Sequence, residues 1–353
     1  MRRRVRTQAT VPGSDKREEP MLRPIIAACY PVFIATGWLG SLPILANASG
    51  PAADEPEIWL VSTRHLGCAS SLDPQRDLAI RRWDPEVCQW ERRAWGELLG
   101  GPRLPTWIWV HGNRVESGED RVRGLAWSRR LAGLAPDSVR RFRLIVWSWP
   151  SDQIRGPIRD VRAKAARADL EGRYLGQFLA HLPPAWPVGL IGFSFGARIA
   201  TGACHWMGAH TEADSMGGAK EKHAGTAPRA AILLAAALPH DWLLPGKPHE
   251  RALEALGELH VMINPCDRAL RRFHVTDPCC RPCAMGVVGP AAEGLDPGAA
   301  ARLFGHSGRD VGKQHDLYAY LWASSTGAAL GELWQKLTGT TETERRQPAA
   351  SSS

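Results

Sequence analysis

The stretch PVGLIGFSFGARIATG (187–202) limits the fold more tightly than any other part of the chain. An apolar run, then Gly192-Phe193-Ser194-Phe195-Gly196, then small residues predict a buried strand that turns directly into a helix at a serine. Two glycines flank the hydroxyl because strand and helix crowd such a turn and leave no room for Cβ atoms. The corner has two readings, a close-packed junction or a serine held in a strained conformation to act as a nucleophile. G-x-S-x-G alone is common by chance; with a strand before it and a helix after it, it has the form of a nucleophile elbow.

Other short apolar runs recur along the chain: EIWLVSTRHL (57–66), TWIWVHGN (106–113), FRLIVWSWPS (142–151), RAAILLAAALP (229–239) and ELHVMINP (258–265). Helical patterns lie between them. One passes through Val122, Leu125 and Ala126, and a long one covers 157–182, with Leu175, Phe178, Leu179 and Leu182 on one face. A final helix is predicted over 315–337. Residues 67–105 read as irregular with a short helix around Trp90–Leu99, 208–228 as a surface loop, and the Cys/Pro/Gly-rich segment after 265 as loop. Alternating strands and helices, each strand apolar throughout, predict an α/β fold with a mostly parallel central sheet covered by helices on both faces. At 353 residues and 44% apolar composition, the chain can bury one large core of this kind. Ligands of such sheets bind beyond the carboxyl ends of the strands.

Chemically marked residues fall at those ends. A serine hydroxyl needs a base, and the base needs a group to orient it. In the strand–elbow–helix arrangement the acid and then the histidine follow the serine in the chain. Asp267, just after the 258–265 strand, is the candidate acid, with an alternative role as a helix N-cap before RALRRF. Asp241 in LPHDW is held in reserve. Among the histidines after the acid, His315 immediately precedes the final helix and is the candidate base. His306, in FGHSGRD, is the reserve, and His274 is read as structural. Main-chain N–H groups of Phe195 and Asn113 are the candidate oxyanion donors. His111 precedes the serine and is read as a structural hydrogen-bonder. Phe193, Phe195, Trp149 and Trp242 are candidate walls of an apolar acyl pocket. This chemistry requires neither a metal nor an organic cofactor.

The N-terminus carries Arg23, an apolar run from Pro24 to Ala46, and Ala46-Asn47-Ala48, the order of a secretory signal cleaved after Ala48. The run is also long enough for an uncleaved anchor. Export to a periplasmic, envelope or extracellular location is expected, with 49–56 a linker, 57–338 the folded domain and 339–353 a polar tail. Segment 1–48 holds seven basic and three acidic residues, so it supplies +4 of the net charge of +8. The remaining arginines are interspersed with acids and form no basic stripe, which argues against nucleic-acid binding. Contact with a membrane is expected only through an uncleaved N-terminal segment. In an oxidising compartment some of Cys68, Cys88, Cys204, Cys266, Cys279, Cys280 and Cys283 should pair. Cys68–Cys88, and Cys266 with a member of CCRPC, are the expected bridges. A zinc site in the CCRPC cluster is the alternative, disfavoured by the vicinal pair and by the lack of a second CxxC.

The stretches WVHGN, WSWPSD, LIGFSFGARI, NPCDRAL and QHDLYAYL resemble those of the α/β-hydrolase superfamily of serine-esterase type. More narrowly, they resemble a bacterial α/β-hydrolase family of uncharacterised function, over about residues 57–337. The resemblance implies Ser194 as nucleophile, Asp267 as acid and His315 as base, acting on a small-molecule ester or related acyl substrate. A catalytically inactive binding protein of the cell envelope built on the same fold is the alternative.

Overall fold

The computed structural model describes residues 55–68, 72–184, 186–213, 225–277 and 279–339. The expected signal 1–48, most of the linker 49–56 and the tail beyond Gly339 lie outside them. In chain order the first elements are β1 (Glu57–Ser62), α1 (Pro74–Asp77), β2 (Ala79–Asp84), β3 (Gln89–Arg92) and α2 (Trp95–Leu99). The centre of the chain supplies β4 (Thr106–Val110), α3 (Glu119–Ala132), β5 (Arg143–Ser148), α4 (Pro157–Ala180), β6 (Val188–Phe193) and α5 (Phe195–Ala213). Then come β7 (Ala230–Leu234), β8 (Glu258–Ile263), α6 (Met285–Val288), α7 (Pro297–Ala300), β9 (Leu303–Ser307), α8 (Leu317–Trp322) and α9 (Ser324–Thr338).

The described strands form one sheet in the order β3-β2-β1-β5-β4-β6-β7-β8-β9. Only β2 runs against its neighbours; every other pairing is parallel. Tryptophans identify the two covered faces. Trp107 and Trp109 are two apart on β4 and therefore share a face. Trp107 meets Trp334 of α9 at 5.4 Å and Trp109 meets Trp127 of α3 at 6.2 Å. Trp109 is in register with Val146, so the next residue, Trp147, points to the opposite face and packs on Phe178 of α4 at 5.3 Å. Helices α3 and α9 thus cover one face and α4 the other, with α5 against α4. The α4–α5 approach is close because it runs over glycine: a Cβ on Gly172 would lie 3.2 Å from the Gly202 backbone. The fold is α/β with a mostly parallel, doubly covered sheet. No helix among the described residues is long and apolar enough to cross a membrane.

Several elements differ from the sequence expectation: the short helices α1, α6 and α7 lie in segments read as irregular or loop, and α5 runs to Ala213, into the segment read as a surface loop. The β2–β3 hairpin falls in the segment read as irregular, with Trp90–Arg92, read as the start of a short helix, on β3 and the helix beginning only at Trp95; β9 falls in the segment read as loop. Both are sheet margins, where AIRRWD, QWER and LFGHS leave most residues half-buried or exposed, so charge and small residues interrupt the apolar pattern. The final helix is two helices. Ala323 is extended at ψ 140°, and Asp310, from the preceding loop, accepts the Ser325 N–H at 3.0 Å and the hydroxyls of Ser324 and Ser325. A carboxylate from elsewhere in the chain therefore caps α9, which helical periodicity cannot register.

The disulfide expectation is corrected as well. All seven described cysteines are free thiols. For Cys68 and Cys88 the register gives the reason. Ser62 pairs with Ala79 at one end of the β1–β2 ladder, while Cys88 sits at the hairpin turn beyond Asp84 at the other end. Five strand residues span roughly 17 Å, and the Gly67 carbonyl next to Cys68 is held by Arg167 and Tyr174 of α4, so the chain at Cys68 is anchored to that helix and not to the hairpin turn. Cys266, Cys279, Cys280 and Cys283 likewise form no bridge.

Candidate active site

The carboxyl ends of β4, β6, β8 and β9 converge on one place. At the end of β6, Ser194 has φ 55°, a left-handed conformation that is rare for residues with a side chain. Its backbone is fixed on both sides: its N–H donates to Leu234 O at 2.9 Å, and its carbonyl accepts from Ala197 at 3.0 Å and Ala237 at 3.2 Å. The flanking glycines are sterically required. A Cβ on Gly196 would lie 2.0 Å from Val110 O, and one on Gly192 would lie 2.7 Å from Ala197 Cα. The first N–H groups of α5, beginning at Phe195, have no intrahelical acceptors and sit beside the serine at the positive end of the helix dipole.

His315 lies on the loop between β9 and α8. Its Nε2 is 3.0 Å from Ser194 Oγ and its Nδ1 is 2.8 Å from Asp267 Oδ2. This network assigns the proton to Nδ1, directed at the carboxylate, and leaves Nε2 as the acceptor for the serine hydroxyl. Asp267 is fully buried after β8. Its Oδ1 accepts the N–H groups of Ala269 and Leu270 at 2.9 and 3.0 Å, while Oδ2 accepts from His315 and from the Tyr320 hydroxyl at 3.1 Å. One oxygen of the carboxylate therefore holds the backbone of the turn that follows, whose 3-10 helix has Ala269 and not Asp267 at its N-cap, and the other faces His315 and Tyr320.

Two residues here carry no sequence signal. Tyr320, on α8, is wholly buried, and burial together with the Asp267 charge raises its pKa, so it stays a phenol that donates. Asn264 donates to Gly312 O at 2.9 Å and to the Tyr320 oxygen at 3.3 Å, tying the His315 loop to the end of β8. Each reads in the sequence as an ordinary helix aromatic or strand-end amide; only the tertiary fold brings them to the carboxylate.

Opposite the elbow, the loop after β4 carries His111, Gly112 and Asn113. A Cβ on Gly112 would come within 2.9 Å of Ser194 Cβ, so this backbone lies directly against the serine. His111 is fully buried and structural: Nδ1 bonds Gly112 O at 2.9 Å and Nε2 accepts the Trp149 N–H at 3.2 Å. Burial first, and the nearby Arg64 charge second, push its pKa down to about 3, so it is neutral. Trp149 stacks on it at 5.6 Å and donates its indole N–H to His111 O at 2.8 Å. The hydroxyl of Ser151 joins Val115 O at 2.9 Å. The sequence SWPS is therefore the brace of the loop facing the serine. Beside it, the Asn113 amide donates to Asp160 at 3.1 Å. Burial works to raise the Asp160 pKa, but bonds from Arg114, the Ile154 N–H and Asn113 outweigh it and hold the carboxyl below its ordinary value.

The reserve residues lie elsewhere. Asp241 pairs with Lys247 at 2.7 Å, and that bond holds its pKa low. His306, on β9, meets His260 at 2.8 Å. His274 belongs to the 3-10 turn Leu270–Thr276. Trp149, read as a pocket wall, is wholly enclosed against His111. Phe193 is also buried and packs on His315 at 5.5 Å and Tyr320 at 5.9 Å. Trp242 is half-buried and carries the Arg198 guanidinium at 4.3 Å over its ring. Phe193 and Trp149 thus pack around the site, while Trp242 packs on Arg198 and His249.

No family model matches the chain. No curated protein matches it either. Among solved structures, an acetylxylan esterase matches at 10% identity and a TM-score of 0.32, over 67% of this chain and 98% of that one. An overlay that loose carries no argument about activity.

Proposed function

We propose that this chain is a serine hydrolase of α/β-hydrolase fold that cleaves carboxylic esters or related acyl groups. The observation that carries the reading is the continuous hydrogen-bonded chain Ser194 Oγ–His315–Asp267, ending on a serine at positive φ beside a helix N-terminus. In this reading Ser194 Oγ attacks the acyl carbon as His315 Nε2 takes its proton. Asp267 keeps the imidazole in the required tautomer and stabilises the imidazolium. The negative charge that forms on the carbonyl oxygen is met by main-chain N–H groups, with Phe195 and Asn113 as donors. His315 then protonates the leaving alcohol, and the reverse sequence with water frees the acid and regenerates the serine. The domain 57–338 holds all of this machinery, and residues 1–48 support export ahead of it.

A series of p-nitrophenyl esters of increasing acyl length tests the reading. The wild type should turn over at least one of them. Ser194→Ala and His315→Gln should each lose on the order of 10^6-fold in kcat/KM while keeping the wild-type melting temperature within a few degrees. Equal hydrolysis by Ser194→Ala would remove the serine from the reaction.

A further inference from the structure

The outer edge of the sheet holds a second group of titratable side chains, sharing no residue with the first. In the β8–β9 ladder His260 is in register with Phe304 and Met262 with His306, so His260 and His306 project from the same face. Register carries that face back through Ile232 and Ile191 to Trp109, the side covered by α3 and α9. His260 Nδ1 and His306 Nε2 face each other at 2.8 Å, with the rings stacked at 5.0 Å. From α9 the Glu332 carboxylate joins them, so one ligating atom from each of the three residues lies within 4.8 Å of the others. The far nitrogen of His260, Nε2, is 3.3 Å from Glu258 Oε2, and the other Glu258 oxygen is held by Lys336 at 2.8 Å.

We propose that His260, His306 and Glu332 bind one divalent transition-metal ion, with zinc the best match to the ligand types, and that the ion ties α9 to the β8–β9 edge. Two imidazoles with one carboxylate is a donor set that suits zinc, nickel or copper and not magnesium or calcium. The Glu258 contact is what a metal-binding histidine needs on its outer nitrogen: it fixes the N–H at Nε2 and leaves the Nδ1 lone pair facing inward. Binding requires His306 to carry its proton on Nδ1 so that Nε2 also offers a lone pair, with both rings remaining neutral. Zn–N bonds of about 2.0–2.1 Å in a tetrahedral site put the two nitrogens about 3.3 Å apart. The pair must therefore open by about 0.5 Å, which the partly exposed His306 ring on an edge strand permits. Water completes the coordination. The ion would bracket the loop that carries His315, since β9 precedes that loop and α8 and α9 follow it, and would act as a staple outside the proposed chemistry.

The test is a Co2+ titration of the chelator-treated full-length chain followed by visible absorption, with Zn2+ as competitor. The expected result is one Co2+ per chain showing tetrahedral d–d bands without thiolate charge transfer, displaced by one equivalent of Zn2+. Glu332→Gln, on an exposed helix position, and His306→Ala should each weaken binding by more than the ~10–100-fold expected for Glu258→Gln. Zn2+ should raise the melting temperature of the wild type and not that of Glu332→Gln. No stoichiometric binding, binding unchanged in both ligand variants, or bands showing cysteine thiolate ligation would each overturn the site.

Discussion

At the centre of the sheet, β4, β5, β6 and β7 contain no residue that is even half-exposed, and the helices on both faces press tryptophan against them. At the margins, β2, β3 and β9 are mostly half-exposed and use arginine, glutamate and histidine where the centre uses valine and isoleucine. The difference tracks what each region holds. A serine at positive φ survives only if its surroundings over-determine it, and the three backbone bonds to Ser194, with glycine on either side, do so. The margins have one such residue, Cys88 at φ 52° in the exposed β2–β3 turn, and they carry polar groups facing one another, His260 and His306 among them.

The sharpest way to break this contrast is to make the same substitution in both regions. Trp107→Ala, at the fully enclosed centre, should cost about 3–5 kcal/mol in urea unfolding. If it costs no more than the edge variant described last, the centre does not dominate stability.

Acid should act on the centre through His111. Its folded pKa of about 3 lies below the ordinary 6.5, so between those values the unfolded chain binds a proton that the folded chain refuses. The stability is present above about pH 6.5 and is lost as pH falls toward 3, at up to about 1.4 kcal/mol per unit. Melting curves at pH 7 and 4.5 should show a steep loss for the wild type and a flatter one for His111→Gln. Parallel slopes would contradict a buried neutral imidazole.

Tyr320→Phe removes one of the two donors on Asp267 Oδ2 while leaving the packing in place. It should lower kcat about tenfold with KM little changed, and lower the melting temperature by a few degrees, because a buried bond to a charged group contributes about 1.5–3 kcal/mol. A change confined to melting temperature would make Tyr320 purely structural. The smallest effect belongs to the margin: Trp83→Ala, which breaks a half-exposed cross-strand pair with Trp90 at 5.7 Å, should cost about 1 kcal/mol.

The same division explains what could be read from the sequence. The five central runs and the corner at Ser194 are legible because burial on both faces enforces continuous apolar strands, and crowding enforces glycine. The order serine, acid, histidine narrows the candidates to residues that the fold brings within hydrogen-bonding distance, Asp267 and His315. Tyr320 and Asn264 were not legible, because a tyrosine in an amphipathic helix and an asparagine at a strand end have ordinary local reasons to be there. Nor was the His260–His306 pair, whose partners are 46 residues apart and meet only through the β8–β9 register. The break at Ala323 depends on Asp310, which no local periodicity reports.

The most direct test of the central claim is intact-mass analysis of the folded full-length chain after exposure to a fluorophosphonate, beside Ser194→Ala. One covalent adduct on the wild type and none on the variant is the result this account predicts. No adduct on folded wild-type protein, or an equal adduct on Ser194→Ala, would contradict an activated serine at position 194.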